Sequence, residues 1–223
     1  MPLLTPLSIP RTKVSHLNPI TYDHDRAVNA IYKRGDIYFG SQTVPPNNAW
    51  SDGTRSFMAP MSDFHLLQTE SFHVTSGRGV WYLGDEVIHL NEGEDMVIPP
   101  WRAHRFENLP GSTEPLRIEY RYDRQRFAME ESFFRNALTY MDDCRRVGVV
   151  PSWFQLCVFC SKAWMVPDVV PVPWVRGVGG EYVRCVVNCV IMWVCSVVGW
   201  VVFGYRGSYR EYYDPEGEGR KGM

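Results

Sequence analysis

The sequence predicts a mainly β domain followed by C-terminal α-helices, one of them hydrophobic and of membrane type. Three observations carry this. Residues 36–123 break into short runs rich in Val, Ile, Tyr and Phe, cut by Gly, Pro and Asn, the pattern of an antiparallel sheet folded into a barrel or sandwich. Beyond Asp123 the apolar residues recur every three or four positions, which is the helical period. Residues 185–205 hold 21 consecutive uncharged positions, and a bilayer-spanning helix needs about 20.

Taken in order, residues 1–34 read as an irregular N-terminal arm with a short helical piece over 25–33. Three prolines interrupt the first ten residues and no basic stretch leads them, so no secretory signal is expected. The strand runs follow as IYFGSQTV, FHLLQ, SFHVTS, GVWYL, EVIHL, DMVIPP, HRFEN and LRIEYRY. Leu83-Gly84-Asp85-Glu86 lies between two of them and reads as a tight hairpin, with Gly84 supplying the turn. Phe127, Glu131, Phe134, Leu138, Met141 and Cys144 then share one face of a helix that Gly148 stops. A second helix is expected over 152–165, opened by Pro151. Pro167, Pro171 and Pro173 exclude a helix interior, so a linker follows. The predicted organisation is an arm 1–34, a β-barrel 35–123, a helical extension 124–166, a Pro/Gly linker 167–180, a hydrophobic transmembrane helix 181–205 and a polar tail 206–223.

A net charge of -2, with 45% hydrophobic and 22% charged residues, fits one or two folded domains in 223 residues. It excludes a disordered chain, a collagen-like repeat and the strongly basic surface of a nucleic-acid binder. All six cysteines lie at or beyond Cys144, which is not a disulfide framework spread through a core. Cys157 and Cys160 form a C-x-x-C pair. With no second pair and no nearby His, zinc or redox chemistry there is the weaker reading against buried thiols. Residues 206–223 carry four basic and four acidic side chains, so the charges around the apolar run are balanced. A single late span suggests a tail anchor with the barrel in the cytosol.

Two segments of the β region carry side chains suited to chemistry. Asp63 and His65 are two apart and share a strand face. Glu70 lies five beyond His65, on the opposite face of a straight strand; a turn at Gln68 and Thr69 would reset that parity. The second segment runs from Gly93 through Pro99 to His104, Phe106 and Asn108, the last three on one face. His73 is three from Glu70 and faces away. His16, His24 and His89 have no partner in view, so these four histidines read as structural or surface residues. Trp81, Tyr82 and Phe106 are either cavity lining or simple packing. Trp101, Arg102 and Arg105 are either substrate-orienting groups or surface side chains.

These segments resemble the paired motifs of the cupin superfamily. Gly93, Pro99, His104 and Asn108 fill every position of the second motif. His65, Glu70 and Gly77 match the first, and Asp63 stands where its first histidine would be. Fifteen residues separate Gly77 from Gly93, which suits the short hairpin between the motifs of small cupins. The resemblance covers about 36–123 and implies a small jelly-roll barrel holding a metal. Carried over by position, the ligands would be His65, Glu70 and His104, with Asp63 as a fourth. Two imidazoles and a carboxylate with open positions suit Fe(II) first, and Mn or Zn also. The competing reading is a cupin that has lost its metal and keeps His65 and His104 as hydrogen-bonded barrel residues.

The whole layout, with its trailing helices and GYRGSYREYYDP end, is similar to fungal cupin-domain oxidoreductases of polyketide secondary metabolism. That similarity implies a metal-dependent oxidoreductase acting on a small polyketide-type intermediate, with Glu70 as the catalytic proton-transfer group. A non-redox cyclase, isomerase or dehydratase of the same kind of pathway is the alternative, as is a non-catalytic small-ligand-binding cupin. The partners implied are a small-molecule substrate, the membrane through the C-terminal segment and, as an option, a second copy in a homodimer; no nucleic acid is expected.

Overall fold

The computed structural model describes residues 8–46, 57–58, 61–172 and 177–216. Ten strands come first: β1 (Ile20–Tyr22), β2 (Ala27–Ile31), β3 (Gly40–Val44), β4 (Asp63–His65), β5 (Glu70–Ser76), β6 (Arg78–Leu83), β7 (Glu86–Asn91), β8 (Asp95–Ile98), β9 (His104–Asn108) and β10 (Leu116–Tyr122). Helices α1 (Phe127–Arg146) and α2 (Trp153–Ala163), strand β11 (Met165–Pro167) and helix α3 (Gly177–Val201) follow. The described strands form two antiparallel sheets, β1-β2-β3-β10-β5-β8 and β11-β4-β9-β6-β7. The β domain is therefore a sandwich, one of the two forms the strand pattern allowed.

The strands form where the side-chain period is two. In β5 Glu70, Phe72 and Val74 are buried, and in β10 Leu116, Ile118, Tyr120 and Tyr122 are buried between exposed or half-buried neighbours. Phe72, Trp81 and Phe106 meet between the sheets with ring centroids 5.2–5.8 Å apart. The predicted hairpin is present: β6 and β7 pair from Arg78↔Asn91 to Leu83↔Glu86. Gly84 takes the left-handed φ of 59° that this two-residue turn needs. Helix α1 closes over the six-stranded sheet through an aromatic cluster in which Phe39 meets Tyr120, Phe127 and Phe134.

Three segments differ from the sequence reading. Residues 25–33 are not helical: Ala27, Asn29 and Ile31 are buried in alternation in β2, which covers the edge of β3. Asp23, His24 and Asp25 all take left-handed φ values and turn the chain from β1 into β2. The second helix ends at Ala163, where Trp164 adopts the left-handed conformation. Met165–Pro167 then pairs with β4 as β11, because Pro167 occupies an edge strand, where a missing N–H costs nothing. The hydrophobic helix begins at Gly177, inside the expected linker, whose residues 173–176 lie outside the described set.

The C-terminal segment is not a free polar tail. Tyr212 is fully buried and its hydroxyl donates to Asp143 Oδ2 at 2.7 Å. Tyr209 N donates to Asn136 Oδ1, and Val14 N to the Glu211 carbonyl, both at 2.9 Å. Helix α3 packs along α2, where Gly199 permits close approach: a Cβ there would lie 2.8 Å from the Phe154 carbonyl oxygen. α3 is long and apolar enough to cross a membrane over Gly179–Val201, and 28% of its most apolar stretch is buried.

Candidate metal centre

Strand β4 supplies two of the site's groups. Asp63 and His65 flank Phe64, and both turn into the sandwich because β4 is covered on its two faces. Chain direction then changes over 66–69. Gln68 donates to the Arg124 carbonyl at 2.7 Å and to Glu130, while Thr69 N donates to Asp123 Oδ1 at 2.9 Å. This tether to the start of α1 resets the strand parity, and β5 begins with Glu70 pointing inward. The turn was expected at Gln68 and Thr69; the chain instead bends at Leu66 and Leu67, and this bend allows a residue five positions from His65 to rejoin it.

His104 arrives from the second segment. Pro99 and Pro100 end β8, and Trp101 takes a left-handed φ of 68° before β9 starts. Trp101 N donates to the His65 carbonyl at 3.0 Å, which fixes one segment against the other. His104 sits directly across from Asp63 in register. Its Nδ1 faces the Arg102 carbonyl at 3.0 Å. That bond leaves Nε2 aimed inward, the arrangement that orients metal-binding imidazoles.

Four buried side chains therefore converge. His65 Nε2 lies 3.4 Å from Asp63 Oδ2 and 3.4 Å from Glu70 Oε2, and His104 Nε2 lies 2.9 Å from Glu70 Oε2. The two imidazoles stack with centroids 5.2 Å apart. Donor atoms of Asp63, His65 and His104 all fall within 4.8 Å of one another, the one such group among the described residues. Burial opposes charge on Glu70, but His65 and His104 outweigh it and hold the carboxyl well below the usual range. Burial likewise opposes charge on His104, but Asp63 and Glu70 raise it to about 9. Asp63 is raised by burial despite the two histidines.

The donor chemistry fits a divalent metal. Two imidazole nitrogens and carboxylate oxygens are a borderline set that suits Fe, Mn or Zn. Asp63 Oδ2 is buried without a hydrogen-bond partner among the described residues, and such a group is costly unless something cationic satisfies it.

The site lines a largely apolar cavity of about 370 Å³, a size that holds a small organic ligand. Its walls come from Phe72, Phe106 and Tyr120 of the sheets and from Phe134, Leu138 and Leu156 of the helices. Sequence reasoning missed the helical wall, although the apolar stripe of α1 was its signal. It also missed Tyr122, whose ring lies 5.4 Å from His65 and whose buried hydroxyl has no hydrogen-bond partner of good geometry among the described residues. Phe106 lines the cavity, whereas Trp81 is fully buried packing. Tyr82 is half-buried at the surface, donating to Glu107 at 2.7 Å beneath the Arg105 guanidinium.

The remaining residues have structural places. Arg102 pairs with Glu181 at 2.8 Å. His73 faces away and meets Asp95 at 2.9 Å, and His16, His24 and His89 are exposed. Asn108 donates to the Val44 and Glu114 carbonyls at 3.1 and 2.9 Å, so this motif position closes a loop instead of entering the site. Cys157 and Cys160 are free and belong to no metal-type cluster among the described residues.

The cupin domain family matches residues 59–118. The chain is 27% identical to the probable oxidoreductase virH of Hypocrea virens, over 71% of this chain and 70% of that protein. It is 34% identical to the oxidoreductase iacF of Pestalotiopsis fici over 47% of this chain, which spans about half of that relative. Among solved structures, the Schizosaccharomyces pombe Cnp3 cupin domain aligns over 51% of this chain and 70% of its own, with 9% identity and a TM-score of 0.33. The part of the sandwich that holds the His and Asp cluster thus matches the cupin domain, in a chain distantly related to fungal oxidoreductases.

Proposed function

We propose that the protein is a metal-dependent cupin oxidoreductase acting on a small, largely apolar substrate of polyketide type. One observation carries this reading: two histidines and two carboxylates converge in the wall of a largely apolar cavity. Asp63, His65 and His104 would hold the metal, with Glu70 as a fourth donor or as the group that moves a proton. A divalent ion in that position supplies Lewis acidity and, as iron, one-electron chemistry.

The chain's own residues do the rest. Phe72, Phe106, Phe134 and Leu138 exclude water and take up the apolar body of the substrate, leaving its oxygen-bearing end to the polar floor. Exclusion of water strengthens every electrostatic contact on that floor. Glu70 Oε2, placed between two imidazoles, is positioned to accept or return a proton at the substrate. The relatives' description as oxidoreductases favours redox chemistry over cyclisation or isomerisation. Membrane attachment through α3 suits a sparingly soluble substrate.

The test is uptake of oxidant. Protein loaded with Fe(II), Mn(II) or Zn(II) in separate samples is incubated with a panel of apolar phenols and aromatic aldehydes. Substrate-dependent O2 consumption by the iron form is expected. Conversion of a compound with no oxidant consumed would replace the redox reading with a cyclase or isomerase.

A further inference from the structure

Helix α3 is inverted relative to an ordinary surface helix. The residues it turns toward the protein are small or polar: Cys185, Asn188, Ser196 and Gly199 are buried, together with Met192. Asn188 bonds the backbone of Val169 and Val170, and Ser161 and Ser196 pair at 2.8 Å across the α2–α3 contact. The residues it turns outward are Val186, Val190, Trp193, Val194, Val197 and Trp200, all exposed. They recur every three or four positions and form one continuous stripe. Trp164, at the end of α2, packs edge-on against Trp193 and widens it. A helix in water places these sets the other way round, and a contiguous apolar surface of this kind marks a contact with something that is not water.

Both ends of α3 are fastened to the same folded body. Near its start Glu181 pairs with Arg102 at 2.8 Å, and Arg184 with Asp168 at 3.2 Å. Just past its end the Arg206 carbonyl accepts from Gln155 Nε2 at 2.9 Å, and Tyr209 and Tyr212 bond Asn136 and Asp143 of α1. A helix crossing a bilayer puts its ends on opposite sides, which would break one of these two sets. Basic groups gather beside the second end. Arg206 and Arg210 are exposed and line a surface cavity of about 580 Å³ with Arg11, among which Glu211 is the acidic member. Lys162, also exposed, lies against Gly207.

We propose that α3 seats the protein in the plane of an anionic membrane, its Val and Trp stripe in the outer acyl region and Lys162, Arg206 and Arg210 on lipid phosphates. Apolar stripe, interfacial tryptophans and flanking cations are the three components of in-plane attachment. The proposal deepens the membrane attachment stated above.

The full-length chain with an epitope at each end is translated with sealed vesicles of phosphatidylcholine, with and without phosphatidylserine. It is then floated and treated with protease from outside. The proposal expects flotation strengthened by phosphatidylserine and both epitopes cleaved without detergent. Protection of the C-terminal epitope alone would overturn in-plane seating while leaving membrane attachment standing. Absence of flotation, with a stable dimer in solution, would overturn both and give the stripe to a second copy. Val190→Glu with Val194→Glu should abolish flotation. Arg206→Gln with Arg210→Gln, whose positions are exposed, should weaken it about thirtyfold on anionic vesicles only. Near-ultraviolet circular dichroism reports that each variant is folded, and a folded Glu variant that still floats would count against the stripe.

Discussion

Asp63 is the residue that separates this site from the motif it resembles. Its Oδ2 is buried, has no hydrogen-bond partner among the described residues and lies 3.4 Å from His65 Nε2, which is a ligand's position. Asp63→Ala is therefore expected to lose metal as fully as loss of a histidine ligand. A fall of only about 10–100-fold in affinity would make Asp63 a group that orients His65. At the same scale, burial pushes the Cys157 thiol up to about 12 from an ordinary 9. Its thiolate fraction at pH 8 is then about a thousandfold below that of a free cysteine, since thiolate is the reactive form. Iodoacetamide should leave Cys157 unmodified in native protein at pH 8 and label it once the chain is unfolded, as read by peptide mass. His65, Glu70 and His104 were legible in the sequence because motif spacing locates them, although the parity of a straight strand alone would have turned Glu70 away. Tyr122 was not, because nothing local to β10 says that its strand lies beside β5.

At the scale of the element, α1 is both a wall of the cavity and the cap on the six-stranded sheet. Leu138 lines the cavity and is buried. Leu138→Trp should fill that space, lowering turnover at least tenfold while metal content is unchanged. The overpacking cost to stability is about 1–3 kcal/mol, measurable by urea unfolding. The α2–α3 contact has its own test. Gly199→Val places a side chain within 2.8 Å of the Phe154 carbonyl oxygen, so α3 must shift from α2. An altered tryptophan emission spectrum with an intact metal site is the expected result. Helix α1 and the β6–β7 hairpin could be read from periodicity and from Gly84. β2 and β11 could not. Each is a short strand held by its neighbour's open edge, and a run of three to five residues carries too little period to declare itself.

For the whole molecule, the last forty or so residues are the part that sequence patterning described least well. Length and absence of charge marked α3 as apolar, but they contain no information about where its ends dock. Tyr209 and Tyr212 looked like members of a polar tail, yet they anchor it to Asn136 and Asp143. A chain ended at Val172 loses these anchors and bares the face of α2 under α3. Its thermal midpoint should fall by several degrees, as expected for a loss of about 1 kcal/mol or more from a domain of this size. The proposed chemistry of the molecule depends on a metal held by Asp63, His65 and His104. Its most direct test is elemental analysis of the full-length protein, purified without a histidine tag and equilibrated with Fe(II), Mn(II) or Zn(II). A single tightly held ion per chain is expected, lost in His65→Ala and in His104→Ala while both variants stay folded, and retained in His73→Ala. A wild-type protein that holds none of the three ions, or a His104→Ala variant that holds metal as tightly as wild type, would contradict it.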